Sequence, residues 1–448
     1  MDYAIIYIYL AGILLLGLYG KQANSKSFLF AGRNLTIPAF VMTLVSTWYG
    51  GILEIGRFSH QNGISTWLVF GLFYYIAALV YARYIARHIP SSKNDSIPSR
   101  FYTYYGRHSA ILAVLLVFLL SSPAPYLKML ANMLSYILNI KTSSALILGI
   151  TCSTLYTLRG GFSAIVKTDI IQFILMFAGF GYMAIYLYLN FGGFNFLYTN
   201  LDPHMLSFPG KLNWTYIFTW SFIALITFID PSFYQRIYST NSTPTATKGI
   251  YISILFWFLF DILSITVGLY SAAIIPSLEF SPYIDIAEYV LPPVIKGAFI
   301  VSLLAIIMST IDSFIFISGF TIGKDLTMIL KNKNNSISYV KAGIIISGLF
   351  SAILASFFTH AVDIWYTVGS FAVPALLIPL LYTYFNIGLK HSFVCMCMPI
   401  IITSIWFIYG YTHPNGYGYP IYPYNLDPMY PGILISGILC FINKRIIS

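Results

Sequence analysis

The chain alternates between long apolar runs and short polar connections over its whole length. Thirteen of these runs are candidates to cross a bilayer, which takes roughly 20 mostly apolar residues in a helix. Their approximate bounds are 3–20, 36–56, 66–86, 109–138, 143–158, 165–190, 214–232, 250–275, 294–320, 342–359, 364–386, 392–410 and 429–443. The fourth run is long and interrupted by Ser-Ser-Pro-Ala-Pro, and the last run is short. The pattern predicts an all-α polytopic membrane protein with a single transmembrane domain, residues 1–448.

The basic residues lie mostly on one side of this predicted bilayer. With the N-terminus outside, the inner loops and the inner tail hold 19 of the 24 Lys and Arg residues. The outer segments hold four, and Lys128 lies within a span. Such an excess is typical of the cytoplasmic side. We therefore expect an outer N-terminus and a cytoplasmic C-terminus, in the inner membrane if the protein is bacterial.

Composition agrees with the membrane class and disfavours several others. The chain is 58% hydrophobic and 8% charged, whereas soluble proteins carry about 25% charged residues. The net charge of +10 follows from the inner loops, so no nucleic-acid partner is expected. No HExxH, GxSxG or P-loop motif occurs, so we expect no enzymatic activity. The lipid bilayer is the predicted surrounding, and no obligate protein partner is evident.

Five carboxylates fall within the predicted spans or at their edges. They are Glu54, Asp169, Asp230, Asp261 and Asp312. An ionised side chain inside a membrane is costly unless it faces a polar cavity or a partner. Each of the five is therefore a candidate functional residue, although the sequence suggests no partner for Asp261.

Two spans contain signals for a broken helix. Gly50–Gly51 precede Glu54 in the second span, and Pro231 follows Asp230 in the seventh. A broken membrane helix frees carbonyl groups for a cation and N–H groups for a solute. Two simpler interpretations stay open. In the first, Glu54 lies near the outer water, beyond a closely packed glycine pair. In the second, Asp230 caps the helix turn that follows it.

The ninth span carries the polar stretch STIDS at residues 309–313. Ser309, Asp312 and Ser313 have the spacing i, i+3 and i+4, which places them on one helix face beside Thr310. Hydroxyl and carboxylate oxygens are hard ligands that suit sodium. Serines alone often bond to their own helix, but the acid among them favours an ion site.

Four motifs in chain order resemble the solute:sodium symporters, which include bacterial proline, pantothenate, sialic acid and sugar carriers. They are FLFAGRNL (28–35), GGFSAIVKTDIIQ (160–172), DPSFYQRIYST (230–240) and AIIMSTIDSFIFISGFTIGKDL (305–326). The resemblance implies a five-plus-five inverted repeat with leucine-transporter-type architecture. An extra first helix, 3–20, would precede repeat one at about 36–190 and repeat two at about 214–386. Peripheral helices would occupy 392–443.

The resemblance also implies a site for sodium as the coupling ion. The positions that match its ligands are the backbone carbonyls of Ser46, Tyr49 and Ile306 and the side chains of Ser309 and Thr310. A second cation or a proton is implied at Asp169, Asp312 and Ser313, and these two alternatives stay open. The candidate solute-binding residues flank the two breaks and are Trp48, Gly50, Glu54 and Thr227.

Together these expectations describe a sodium-coupled secondary active symporter that imports a small organic solute by alternating access. A proton-coupled symporter of the same fold, with Asp169 or Asp312 as its proton site, stays open. A transporter-like membrane sensor is disfavoured, because little chain follows the last span. The stretch TWYGGILE at 47–54 does not match the polar solute contacts of the sugar or proline carriers, so the solute is left open.

Overall fold

Helices make up most of the computed structural model, which describes residues 2–18, 24–89, 94–331, 337–358, 361–414 and 420–446. The first part of the chain contains α1 (Asp2–Leu18), α2 (Ser25–Phe30), α3 (Ile37–Trp48), α4 (Ile52–Asn62), α5 (Phe73–Tyr84), α6 (Ile97–Tyr105), α7 (Arg107–Leu120), α8 (Ala124–Leu138), α9 (Thr142–Gly160), α10 (Phe162–Asn190), α11 (Gly193–Asn200) and α12 (Trp214–Ile223).

The remaining helices are α13 (Pro231–Tyr238), α14 (Thr243–Ile274), α15 (Pro282–Val290), α16 (Pro293–Phe320), α17 (Thr327–Lys331), α18 (Ile337–Phe357), α19 (Ala361–Tyr384), α20 (Ser392–Thr412) and α21 (Met429–Asn443). Two short strands, β1 (Ile387–Leu389) and β2 (Lys444–Ile446), pair antiparallel with Gly388 opposite Arg445. The strands join the end of α19 to the end of α21.

The predicted spans fall on these helices. Nine helical segments of the described chain are long and apolar enough to cross a membrane, and the bent pair α3–α4 makes up to ten. The other predicted spans coincide with α1, α9 and α21, of which α1 and α21 are shorter apolar helices. The count of thirteen crossings therefore stays a prediction. Residues 19–20 and 359, at the ends of two predicted spans, and Lys21 lie outside the described residues.

The first predicted break separates α3 from α4, whose axes differ in direction by 63°. Glycine is required at both positions because there is no room for a side chain. A Cβ atom added to Gly50 would lie 2.5 Å from Thr310 Oγ1, and one added to Gly51 would lie 2.6 Å from the indole of Trp365. Contacts this short force a neighbour to move, so the glycines allow the break to lie directly against α16 and α19.

The second predicted break lies between α12 and α13. A 3₁₀ turn, Ala224–Phe228, ends the first part, and α13 starts at Pro231. Proline suits the first turn of a helix because the missing N–H would have no partner there. Asp230 caps α13, since its Oδ1 accepts a hydrogen bond from the Ser232 N–H at 2.8 Å. Asp230 therefore has the capping role that the sequence left open.

Helix α16 is the central element of the fold. It packs against α1, α3, α10 and α18, and every residue from Phe299 to Thr321 is buried. A helix buried on all sides has no solvent face, so its polar side chains need partners inside the protein. This placement brings the STIDS stretch into the core, beside the end of α3.

Contacts near the end of α13 join it to the segment before α3. The Gln235 side chain donates to the Leu29 carbonyl at 2.6 Å, and the Leu35 N–H donates to the Ser239 carbonyl at 3.1 Å. Leu35 and Thr240 also form an isolated parallel bridge. The segment that leads into α3 is thus attached to the end of α13.

Candidate functional site

The hydroxyls of Ser309 and Thr310 face the end of α3. Ser309 Oγ lies 2.9 Å from Ser46 Oγ, and Thr310 Oγ1 lies 2.8 Å from the Thr47 carbonyl oxygen. Thr310 Oγ1 is also 3.3 Å from the carbonyl oxygen of Ile306. All five residues are buried. Uncharged hard oxygens at the C-terminal end of a helix, where the helix dipole is negative, suit a monovalent cation.

The structure brings the carbonyl of Thr47 beside the predicted ligands. Tyr49 follows α3, and its carbonyl accepts the Ile52 N–H at 2.9 Å, which leaves its second lone pair free. The carbonyl of Thr47, by contrast, contacts α16 directly. Sequence reasoning missed Thr47. The signal was present, because Thr43, Ser46 and Thr47 have the same i, i+3, i+4 spacing as the polar residues of α16.

Asp169 on α10 connects this region to the second broken span. Its Oδ1 accepts a hydrogen bond from Ser309 Oγ at 2.7 Å. Its Oδ2 accepts a hydrogen bond from the Thr43 hydroxyl and lies 3.5 Å from the terminal nitrogen of Arg236. Neither Asp169 nor Arg236 is exposed to solvent. One carboxylate therefore bonds the Ser309 hydroxyl on one side and the Arg236 guanidinium on the other.

The guanidinium of Arg236 lies where the sequence implied a second cation or a proton. One of its nitrogens is 2.9 Å from Ser313 Oγ and 2.6 Å from Thr47 Oγ1, besides its ion pair with Asp169. Two of the three residues implied for that second site thus contact a positive charge of the protein itself. Sequence reasoning gave Arg236 no role, since its partners come from α3, α10 and α16 and leave no local signal.

The third residue of that set, Asp312, has different neighbours. The hydroxyl of Tyr156 on α9 donates to its Oδ2, whereas its Oδ1 has no hydrogen-bond partner among the described residues. No hydrogen bond within the described chain joins Asp312 to Asp169 or Ser313. The polar face predicted from spacing is therefore divided, with Ser309 and Ser313 directed to α3 and Asp312 to α9.

Asp261 on α14 holds the residue at the first break. The Tyr49 hydroxyl donates to Asp261 Oδ1 at 2.9 Å, and the Tyr75 hydroxyl donates to Oδ2. Two tyrosine donors satisfy a carboxylate that is 4% exposed, as a buried charge requires. Tyr49 is also a predicted carbonyl ligand, so Asp261 positions a residue of the predicted ion site.

A cavity of about 580 Å³ lies between the two breaks. Its wall includes two of the four predicted solute-binding residues, Trp48 and Glu54, together with Asp230. Gly50 and Thr227 are not part of the wall as described. Gly50 packs against Thr310, and Thr227 is fully buried with no hydrogen-bond partner for its Oγ1 among the described residues.

Comparisons with known proteins agree with this geometry. Residues 28–385 match the model of the sodium:solute symporter family. A sodium/proline symporter of Haemophilus influenzae is 24% identical over 71% of this chain and 69% of its own length. A sodium/pantothenate symporter of the same organism is 26% identical over 52% of this chain and 50% of its own length.

Among solved structures, a Na⁺-coupled sialic acid symporter in a substrate-bound outward-open state is similar to this chain. The TM-score is 0.78 at 17% sequence identity, and the match covers 100% of this chain and 99% of the other. At this identity the likeness concerns the fold. The architecture is the leucine-transporter-type fold that the motifs implied, whereas the repeat boundaries stay a prediction.

Proposed function

The chain belongs to the sodium:solute symporter family, and we propose that it imports a small organic solute together with sodium by alternating access. The observation that carries the proposal is the convergence of hydroxyl, carbonyl and carboxylate oxygens from α3, α10 and α16. Ser309 Oγ alone lies within 2.9 Å of oxygens from Ser46 and Asp169. This set offers sodium hard ligands inside a buried part of the protein.

Sodium would bind between the end of α3 and the middle of α16. The proposed ligands are the side chains of Ser309 and Thr310 and the carbonyls of Ser46, Tyr49 and Ile306, with the carbonyl of Thr47 as an addition from the geometry. Carbonyls at an interrupted helix end combine free lone pairs with the negative end of the helix dipole. The ion would therefore stabilise one orientation of α3 relative to α16.

The cavity on one side of the two breaks and the hydrogen bonds on the other side support alternating access. The cavity reaches from the breaks along α4 to Asp427 and to Met429, the first residue of α21. On the orientation predicted from the basic residues, this is the outer side. On the opposite side of the breaks, the Gln235–Leu29 and Leu35–Ser239 hydrogen bonds hold the start of the first broken span against the end of α13. We therefore assign the structure to an outward-facing state, in which Trp48 and Glu54 are accessible to solute.

The energetics are adequate for accumulation. One elementary charge that crosses 100 mV releases about 2.3 kcal/mol, and each 1.4 kcal/mol is a factor of ten in an equilibrium constant. The membrane potential alone thus supports a concentration ratio of roughly 40 for a neutral solute moved with one sodium ion, before the sodium gradient is added.

The first test is the thermal stability of the purified protein in NaCl against KCl at equal ionic strength. We expect a Na⁺-specific rise in the unfolding temperature that Ser309→Ala/Thr310→Ala abolishes. The matched control is Ser404→Ala/Thr412→Ala on α20, whose hydroxyls bond to carbonyls of their own helix. Equal unfolding temperatures in the two salts for the wild type would contradict sodium coupling.

A proton-coupled symporter of the same fold is the alternative that must be distinguished from a sodium-coupled one. The favouring observation is the unpartnered Oδ1 of Asp312 in a fully buried side chain. A proton site there predicts solute uptake driven by a pH gradient in the absence of sodium and lost in Asp312→Asn. Uptake that needs sodium and is unchanged in Asp312→Asn would exclude Asp312 as the coupling site.

A further inference from the structure

The charges on the cavity wall are unequal. Among the described residues that line it, four carry carboxylates and one is basic: Glu54, Asp230, Asp363 and Asp427 against Arg57. Arg57 is already paired with Glu54 at 3.3 Å. A solute that enters this cavity therefore meets an excess of negative charge and no unpaired basic side chain on the described wall.

Asp230 carries this charge at the second break, beside the first. It is half-buried, and its capping bond to the Ser232 N–H occupies Oδ1. An ionised carboxylate has about four acceptor positions on its two oxygens, so capping does not exhaust it. Asparagine and serine cap helices about as well as aspartate. The cap thus accounts for a polar side chain at this position and not for its charge.

Aromatic rings form much of the wall of the cavity that Asp230 lines. Trp48 and Tyr74 meet edge to face with centroids 5.3 Å apart. Tyr126 and Trp365 lie 5.5 Å apart on α8 and α19, and all four residues line the cavity. The faces of aromatic rings attract cations, and tryptophan does so most strongly. Rings from four different helices in a cavity that also holds a carboxylate are suited to an onium or ammonium group.

We propose that the solute is an organic cation, with a quaternary ammonium or amine group held by the Asp230 carboxylate and the aromatic wall. This inference rests on the proposed transport function, because it names the substrate class of the same cavity. A carboxylate-bearing solute lacks a free basic partner on the described wall. A neutral solute leaves the charge of Asp230 without a use.

The test compares two probes of nearly equal shape, choline and its uncharged isostere 3,3-dimethylbutan-1-ol. Binding of each is measured at constant NaCl by the rise in unfolding temperature and by isothermal titration. We expect the wild type to bind choline at least tenfold more tightly than the isostere. Asp230→Asn keeps the cap and removes the charge, so it should lose at least tenfold in choline affinity while binding of the isostere is unchanged.

The chain offers a matched control for this substitution. Asp202 also precedes a proline and accepts an N–H two residues later, from His204 at 3.0 Å, but it does not line the cavity. Asp202→Asn should bind choline as the wild type does. A parallel NaCl titration without solute in Asp230→Asn should give the wild-type sodium response, because Asp230 is not a proposed sodium ligand.

Three results would overturn the inference. They are equal binding of choline and its isostere by the wild type, wild-type choline affinity in Asp230→Asn, and tighter binding of L-proline or pantothenate than of choline. The sodium titration keeps this failure distinct from a failure of the transport proposal. A sodium response without choline selectivity refutes only the solute class, and choline selectivity without a sodium response refutes only the coupling ion.

Discussion

The substitution Gly50→Ala tests whether the close approach of the first break to α16 sets sodium affinity. The added Cβ would lie 2.5 Å from Thr310 Oγ1 and 2.6 Å from a ring carbon of Tyr126. Neither contact is compatible with van der Waals radii, so α3, α4 or the Thr310 side chain must move. Because Thr310 is a proposed sodium ligand, the displacement acts on the ion site itself.

The expected magnitude follows from the cost of overpacking a well-packed interior, about 1–3 kcal/mol. If the sodium-bound state bears that cost, the half-saturating sodium concentration rises about 5- to 150-fold, since 1.4 kcal/mol is a factor of ten. The assay is the unfolding temperature across a NaCl titration at constant ionic strength. The unfolding temperature in KCl measures separately any general loss of stability.

The matched control is Gly181→Ala on α10, where an added Cβ meets no atom within 4 Å. Replacing a helical glycine by alanine where the added Cβ has open space reduces the freedom of the unfolded chain and stabilises the protein. The sodium response of Gly181→Ala should therefore equal that of the wild type. A folded Gly50→Ala variant with a sodium midpoint within twofold of the wild type would refute the reasoning. The close approach would then serve packing alone.

Two further substitutions test groups that support the site. Asp261→Asn removes the charged acceptor for the Tyr49 hydroxyl, and hydrogen bonds to charged groups contribute about 1.5–3 kcal/mol. We expect thermal unfolding and NaCl titration to show lower stability and weaker sodium binding, with Ser404→Ala unchanged in both. Burial raises the pKa of Asp427 above its usual value, partly offset by the Tyr366 hydroxyl that donates to it at 2.9 Å. Between the pKa of Asp427 in the unfolded state and its higher pKa in the folded state, the folded protein binds more protons than the unfolded chain. The free energy of unfolding therefore falls as pH rises through that window. Asp427→Asn should lose this decline and be more stable than the wild type toward neutral pH. If the unfolding temperatures of variant and wild type have the same pH profile, Asp427 is not the cause of the decline.

The sequence predicts the helices and their breaks well because these depend on local chemistry. Gly50–Gly51 and Pro231 interrupt helices through missing side chains and a missing N–H, and both breaks occur where they were predicted. The motif resemblance likewise implied that Ser309 and Thr310 lie beside the first broken helix, and their role as sodium ligands stays a prediction. Their contact with the end of α3 agrees with that placement, because the motif describes positions along the chain that this fold brings together.

The partners of the buried charges could not be predicted in the same way. Asp261 receives two tyrosine hydroxyls, one of them from Tyr49 at 2.9 Å, although they are distant in sequence. Helix α16 is buried on every side, so the periodicity of its apolar residues does not indicate which neighbour each hydroxyl faces. The sequence pattern therefore did not indicate that Asp312 and Ser313, adjacent in the chain, contact different helices.

Asp169 is where these two kinds of information combine. The sequence motif implied its connection with sodium, and the structure supplies Arg236 as its other partner. Its two oxygens are divided between Ser309, on the side of the proposed ion site, and Arg236, on the side of α13. Removing one partner of a buried ion pair costs about 3–5 kcal/mol of stability. A movement of the Asp169 carboxylate with the proposed sodium ligands would therefore weaken its ion pair with Arg236. The proposed binding of sodium at Ser309 would therefore be connected, through a single side chain, to the second broken span, whose Asp230 lines the cavity.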